Sequence, residues 1–374
     1  MDENIYMLFW EMVPGVGRMT LNRLINSFGS PYAMYKETES VLKEVLTEKQ
    51  LRSFLLTREQ KRPEEIKCQL DKKGIQYYSI FHRDYPDRLK KIEDRPIGLF
   101  VKGELPKDNE MTVAVIGTRS NSIYGYEMAR EYVHKLVGAK VGIISGMARG
   151  IDGIAQKAAV EYGGRTYGVL GCGVDVCYPS ENIDLYSQIQ KSGGVISEFV
   201  PGTRPAPGLF PLRNRIISGL SDIVLVMEAR EKSGTLITVD MALEQGREVY
   251  VLPGRVTDEL SRGCNKLMEQ GATPLAPPDE FLEQLIKVNI KGKSTWEVKD
   301  EKNTSVSEEN WMMKTVILEC LSYNEMSMSQ LWEKVQIKKR NISLTEMSEI
   351  LTRLKISGEV HQDFAGRWIK INKK

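Results

Sequence analysis

The sequence predicts an α/β protein whose largest part is an extended, Rossmann-like, doubly wound parallel sheet. Three observations predict it. Between Met111 and about Leu285 six short apolar runs recur: TVAVIG, GIISG, TYGVLG, GVISEF, DIVLVMEA and EVYVLPG. Helical patterns separate them, and apolar strands alternating with helices mark a parallel sheet buried on both faces. Most of the runs also break off in a turn rich in small residues, where a doubly wound sheet places its ligand outside the carboxyl ends of the strands.

A small helical domain, residues 1–65, precedes the sheet. Its stretch PGVGRMTLNRLINSFGSPYAMYK opens on a tight Pro14-Gly15-Val16-Gly17 turn, and Leu21, Leu24, Ile25 and Phe28 follow at helical spacing. Such a turn resembles the helix-hairpin-helix or SAM-like element of DNA-binding proteins, whose turn amides contact a phosphate; with only one copy of the turn, a plain helical module whose glycines merely turn the chain is the favoured reading. Residues 66–110, with KGIQYYSIFHRDYPDRLKKIEDRPIGLFVKGELP, change to short strands and turns and read as a connector. The Rossmann-like core spans 111–286. Residues 287–310 include KGKSTWEVKDEKNTSVSEEN, polar and without period, and read as a linker. In 311–374, Val316, Ile317 and Leu321 mark one helix, SMSQLWEKV a second, LTEMSEILTRLKISG a third, and EVHQDFAGRWIKI a hairpin. Three helices and a hairpin make a winged-helix plan. Glu346 and Glu349, among the outward residues of its third helix, suit protein contact or plain packing better than a DNA groove.

Composition narrows the function classes. A chain of 374 residues is long enough for two or three domains, and 52 Lys and Arg against 50 acids argue neither for nucleic acid nor for an anionic membrane. Three His and five scattered Cys supply neither a zinc ligand set nor a disulfide framework. The first residues, MDENIYMLFWEMVPGVG, carry acids where a signal peptide carries Lys or Arg. The expectation is a cytoplasmic protein with no membrane segment.

The strand ends hold the candidate site. Thr118, Arg119 and Ser120 follow the first run; Ser145, Gly146 and Arg149 lie in the turn after the second; Phe210, Arg213, Asn214 and Arg215 follow the fourth; Ser233, Gly234 and Thr235 follow the fifth. Small residues let backbone N–H groups approach a ligand, helix N-termini carry partial positive charge, and arginines supply bidentate forks. The expected guest is a phosphate. In IISGMARGIDGIAQKAAVEYGG, Asp152 reads as a helix N-cap and the glycines as permitting tight strand–helix packing, but packing alone leaves Arg149 unexplained. A Walker loop, G-x-x-x-x-G-K-[ST], is missing, which argues against an ATPase motor. The first strand is followed by GTRSNSIYG rather than G-x-G-x-x-G, and the second ends in Ser-Gly rather than an acid, which demotes a dinucleotide cofactor.

IGTRSNSIYG, SGMARGIDGIA, GCGVDVCYPSEN, FPLRNRIISGLSD, EAREKSGTLIT and GREVYVLPGRV…SRGCNKLMEQGA resemble, in order and spacing, the DNA-processing protein A family (DprA, also called Smf). The resemblance covers nearly the whole chain. It implies a bacterial cytoplasmic protein that binds single-stranded DNA, forms homodimers and helps load the RecA recombinase in natural transformation. No catalytic residue, cofactor or metal is called for. Between residues 111 and 275, however, 11 Arg and 6 Lys meet 17 acids, so a basic DNA track must come from placement rather than abundance. Phe210, in a Pro/Gly loop before Arg213 and Arg215, reads either as a base-stacking ring or as an anchor for that loop. The competing class is an enzyme: the strand-end loops also resemble nucleoside-monophosphate phosphoribohydrolases, whose Gly-Gly-x-Gly-Thr turn precedes a catalytic glutamate. Ile237 or Thr238 stands here where that acid is expected, leaving Glu198 and Glu228 as substitutes.

Overall fold

All six predicted runs are strands of one sheet in the computed structural model, which describes residues 2–292, 316–318, 320–321, 326–338, 343–356, 360–362 and 367–370. The chain divides into two compact units, Met1–Gly292 and Lys293–Lys374. The first unit begins with helices α1 (Glu3–Glu11), α2 (Arg18–Phe28), α3 (Pro31–Lys36), α4 (Glu39–Leu42), α5 (Glu48–Gln60) and α6 (Pro63–Lys72). Strand β1 (Gln76–Ser79), the short α7 (Asp87–Lys90) and β2 (Gly98–Gly103) follow. The core then alternates β3 (Thr112–Ile116), α8 (Ile123–Gly138), β4 (Gly142–Ser145), α9 (Ile151–Glu161), β5 (Thr166–Val169), α10 (Ile183–Ser192) and β6 (Gly193–Ser197). It continues with α11 (Leu209–Leu220), β7 (Ile223–Val226), α12 (Gly234–Glu244), β8 (Glu248–Val251), α13 (Arg262–Glu269), β9 (Thr273–Pro274) and α14 (Pro278–Gly292). Residues 287–292, read from sequence as the start of a linker, thus complete α14; 293–310 lie outside the described residues.

The strand order is β1-β2-β6-β5-β4-β3-β7-β8-β9, parallel from β6 to β9. β1 and β2, from the connector, extend it antiparallel along β6. Because side chains alternate along a strand, β3 sends Val113 and Val115 to one face and Ala114 and Ile116 to the other. Val113 and Val115 share a core with Ala129 and Val133 of α8, Ala155 and Ala159 of α9 and Phe281 of α14. Ala114 and Ile116 share the opposite core with Ile216 and Leu220 of α11 and Val239 of α12. The N-terminal helices gather around Trp10 and Phe54, whose rings stack at 4.4 Å, in a core that reaches Phe100 of β2 and Val195 of β6. The switch point lies between β3 and β7: from β3 the chain winds outward through β4, β5 and β6, returns to β7, and winds the other way.

In the second unit, residues 316–318 and 320 are helical. Helices α15 (Met328–Lys338) and α16 (Leu344–Ile356) and the antiparallel strands β10 (Val360–Gln362) and β11 (Trp368–Lys370) follow. Ile317, Leu331, Leu351 and Trp368 share its core.

One buried cation ties the strand ends of the first unit together. Arg213, in the second turn of α11 and 4% exposed, donates from Nη1 to Gly146 O at 2.7 Å beyond β4 and to Val169 O at the end of β5. Gly146 is required for that approach, since a Cβ there would lie 2.6 Å from both Arg213 Nη2 and Asp152 Oδ2. Gly146→Val therefore forces the bridge apart, and overpacking of this kind costs about 1–3 kcal/mol. Thermal denaturation should show a clear fall in Tm for Gly146→Val. Gly138→Ala, at a helical glycine with nothing within 4 Å of its added Cβ, should hold or raise Tm.

Candidate nucleic-acid interface

The loops after β3 and β7, on either side of the switch point, open on a cavity of about 580 Å³ whose other walls come from α11 and the turn after β4. Doubly wound sheets hold ligands at this position. Four cationic side chains line it, Arg119, Arg213, Arg230 and Lys232, against one carboxylate, Asp152. Thr118, Asn214, Ser233, Gly234 and Thr235 also face it, as do Phe210 and Tyr178. The first turns of α11 and α12 both border the space, so two helix N-termini add their partial positive charge. Ser233 caps α12, accepting from Thr235 N–H at 3.2 Å.

Arg119 is exposed and sits over Phe210, its guanidinium 5.7 Å from the ring centroid. The Tyr178 ring lies 5.5 Å from that of Phe210, tilted by 35°. Phe210 is half-buried and belongs to the first turn of α11, not to the preceding Pro/Gly loop as the sequence suggests. Gly171 makes room for it, since a Cβ at that position would fall 2.7 Å from the ring. The result is an aromatic pair with a cation over one ring, a surface on which a flat base can stack.

The turn after β4 answers for its own composition. Gly150 adopts φ +72° and leaves no space for a Cβ, which would meet Thr118 O at 2.2 Å, so the turn packs directly on the loop carrying Arg119. Met147, buried at φ 53°, is held in this left-handed conformation by Gln156 Oε1, which accepts its N–H, and by Asn182 Nδ2, which donates to its carbonyl. Asp152 does not cap α9. It is the second residue of the helix, two past the N-cap position Gly150, and its carboxylate accepts the turn amides of Gly146, at 3.1 Å, and Ala148. Burial pushes this carboxyl above its usual range against the opposing pull of Arg213. Burial likewise brings Arg213 down to about 10, which leaves it charged at neutral pH.

The remaining predicted residues are dispersed. Arg149 is exposed, forms an ion pair with Glu181, and lines a smaller recess shared with Arg119, Gly146 and Arg213. Ser120, also exposed, donates its N–H to Thr118 Oγ1 at 3.2 Å. Ser145 is fully buried and donates its hydroxyl to Val115 O at 2.7 Å. Arg215 points to the other side of α11, where it binds Glu198 at 2.6 Å and Asp94 at 2.8 Å. Sequence reasoning left out Tyr178, Arg230 and Lys232; an aromatic next to Pro179 in a strand-end loop was the available signal for the first. Among the described residues no cluster of three or more His, Cys, Asp or Glu is placed to hold a metal, and no helix is long and apolar enough to cross a membrane.

Comparison with known proteins agrees with this architecture. The family model described as DNA recombination-mediator protein A matches residues 76–286. DNA processing protein DprA of Bacillus subtilis is 39% identical over 219 residues, which are 58% of this chain and 74% of that protein. The X-ray structure of DNA processing protein A from Streptococcus pneumoniae superposes with a TM-score of 0.65 at 31% identity, over 76% of this chain and 99% of that one. That of Helicobacter pylori, studied for its single-stranded DNA binding mode, gives a TM-score of 0.51 at 29% identity over 57% of this chain and 97% of its own. The sheet, its strand-end loops and these likenesses converge, and the chain belongs to the DNA recombination-mediator protein A family.

Proposed function

We propose that this protein binds single-stranded DNA in the switch-point cavity and processes DNA for recombination and natural transformation. The observation that carries the reading is the placement of Arg119, Phe210 and Tyr178 in one cavity with three further cations and a single carboxylate. Phosphates go to the arginines, lysine and loop amides, and bases to the rings. On this reading Thr118, Ser120, Gly146, Arg149, Asn214 and Ser233-Gly234-Thr235 border the strand, whereas Ser145, Arg213 and Arg215 hold the frame. The finer assignment follows the family: a cytoplasmic homodimer that delivers its DNA to a RecA-type recombinase, with the second unit a winged helix built from the observed order of helices and hairpin.

Titration of labelled oligonucleotides by fluorescence anisotropy should give tighter binding to single strands than to duplex, and affinity that falls as salt rises because phosphate contacts release counterions. Equal affinity for duplex, or salt-independent binding, is the outcome that rejects the cavity as the site.

Arg119 and Arg149 provide the residue-level test. Losing a charged hydrogen bond costs about 1.5–3 kcal/mol, roughly tenfold or more in affinity. Arg119→Ala and Arg149→Ala should each weaken single-strand binding with little change in Tm, since both side chains are exposed and the Arg149–Glu181 pair lies at the surface. If both grip one phosphate, the double variant will depart from additivity. An early melt for Arg149→Ala, with normal binding by the folded fraction, assigns that arginine a structural role instead.

A phosphoribohydrolase-like enzyme is disfavoured by what its two substitute acids do. Glu198 is clamped by Arg215, and Glu228, 2% exposed, accepts from the N–H and hydroxyl of Ser122. Incubation with AMP, other nucleotides and ATP should release neither free base nor phosphate. Base release that disappears in Glu228→Gln would move the protein to the hydrolase class.

A further inference from the structure

The two rims of the cavity differ. On the side of β5 and β6, Arg149 is already paired with Glu181, and Asp175 and Asp184 stand in the same stretch of chain. On the side of β7 and β8 the chain builds a shelf. Ala229 N–H donates to Leu260 O at 2.9 Å, Gly263 N–H donates to Ala229 O at 2.8 Å, and Arg230 pairs with Glu259 at 3.0 Å. Gly263 is the residue that allows this, because a Cβ there would lie 2.6 Å from the carbonyls of Ala229 and Arg230. The start of α13, with Arg262, is thereby pressed against the strand end that carries the cavity wall. Glu231, between the wall residues Arg230 and Lys232, pairs with Lys266 at 2.9 Å, and its carboxyl is held below the usual range by Lys266, Arg262 and Lys232. Lys232, Arg255 and Arg262 are all exposed and form no ion pair among the described residues. Val256, beside Arg255, is 83% exposed. Tyr124, half of its surface open, reaches the same loop by donating its hydroxyl to Pro253 O at 3.0 Å.

We infer that a single-stranded nucleic acid leaving the cavity continues over the loops after β7 and β8, with Arg255 and Arg262 as phosphate contacts and the Tyr124–Val256 surface beneath the bases. Unpaired cations interleaved with exposed aromatic and apolar side chains are what a sequence-tolerant single strand requires. The inference rests on the cavity being the primary DNA site, and gives the bound strand a direction: away from Glu181 and toward α13.

The test uses the full chain and two labelled oligothymidines, one of four nucleotides that fills only the cavity and one of twenty that reaches the shelf. The double variant Arg255→Ala/Arg262→Ala should bind the short strand within about twofold of the parent. For the long strand its affinity should fall about tenfold or more, and the salt dependence of log K should flatten by about 1.4, roughly 0.7 for each lost single-strand phosphate contact. Arg83→Ala, with that side chain 90% exposed on the connector, removes a cation elsewhere and should change neither. Unaltered Tm in the double variant certifies that it is folded. The shelf is rejected if the double variant binds the long strand with parental affinity and slope, or if Arg83→Ala weakens it equally. If the parent binds neither strand, the cavity reading itself has failed and the shelf falls with it.

Discussion

The guanidinium of Arg213 is the constraint on which the site depends. It sits under α11 and bonds the backbone at the ends of two adjacent strands, so it fixes both the height and the rotation of that helix over the sheet. A buried cation is costly unless its donors are occupied and an opposite charge is close. The two carbonyls supply the first condition and Asp152 the second. Asp152 in turn takes the N–H of Gly146, whose carbonyl Arg213 holds, so one residue is gripped through both of its backbone polar groups. Arg215 clamps the other side of the same helix to Glu198 and Asp94. Between the two arginines Asn214 faces the cavity, and one turn earlier Phe210 does the same. The Arg-Asn-Arg sequence thus reads as two anchors with a ligand-facing residue between them.

How much of this was legible follows from what a sequence encodes locally. The six core strands could be read because a parallel strand buried on both faces must be apolar along its whole length. The antiparallel place of β1 and β2 at the edge of the sheet could not, because pairing partners far apart in the chain leave no periodic trace. The strand ends themselves were readable, and the cavity lies at them. Which arginines face outward was not. Arg119 lies exposed in the loop after β3, whereas Arg213 lies on α11, whose rotation over the sheet turns it inward and leaves it 4% exposed. Asp152 misled for a related reason: an acid near a helix start normally serves that helix, but here the amides of the preceding turn lie closer.

Equal numbers of basic and acidic residues in the core give it no net attraction for a polyanion. The structure resolves the tension by pairing. Glu181, Glu198 and Glu231 are each paired with a cation outside the cavity lining, and Glu259 with Arg230 of its wall, so these acids are offset while the lining holds four cations to one carboxylate. Attraction is then local to the cavity rather than spread over the surface, and a chain with small net charge avoids non-specific association with any polyanion it meets.

Glu228 carries this use of acids furthest. It lies just beyond β7 and is one of two acids that could stand in for a hydrolase's reactive carboxylate, yet its hydrogen bonds support another loop. Its backbone carbonyl accepts the N–H of Thr118 at 2.8 Å, and its carboxylate accepts the N–H and hydroxyl of Ser122, the residue that caps α8. Gly125 gives it space, since a Cβ there would fall 2.3 Å from Oε2. The segment from Thr118 to Ser122 is therefore fastened at both ends by one residue, and Arg119 lies inside that segment. A buried acid fixes the loop backbone from below, which lowers the conformational entropy that Arg119 would lose on gripping a phosphate. The carboxylate that looks catalytic in the sequence acts in the fold as the mount for a cation.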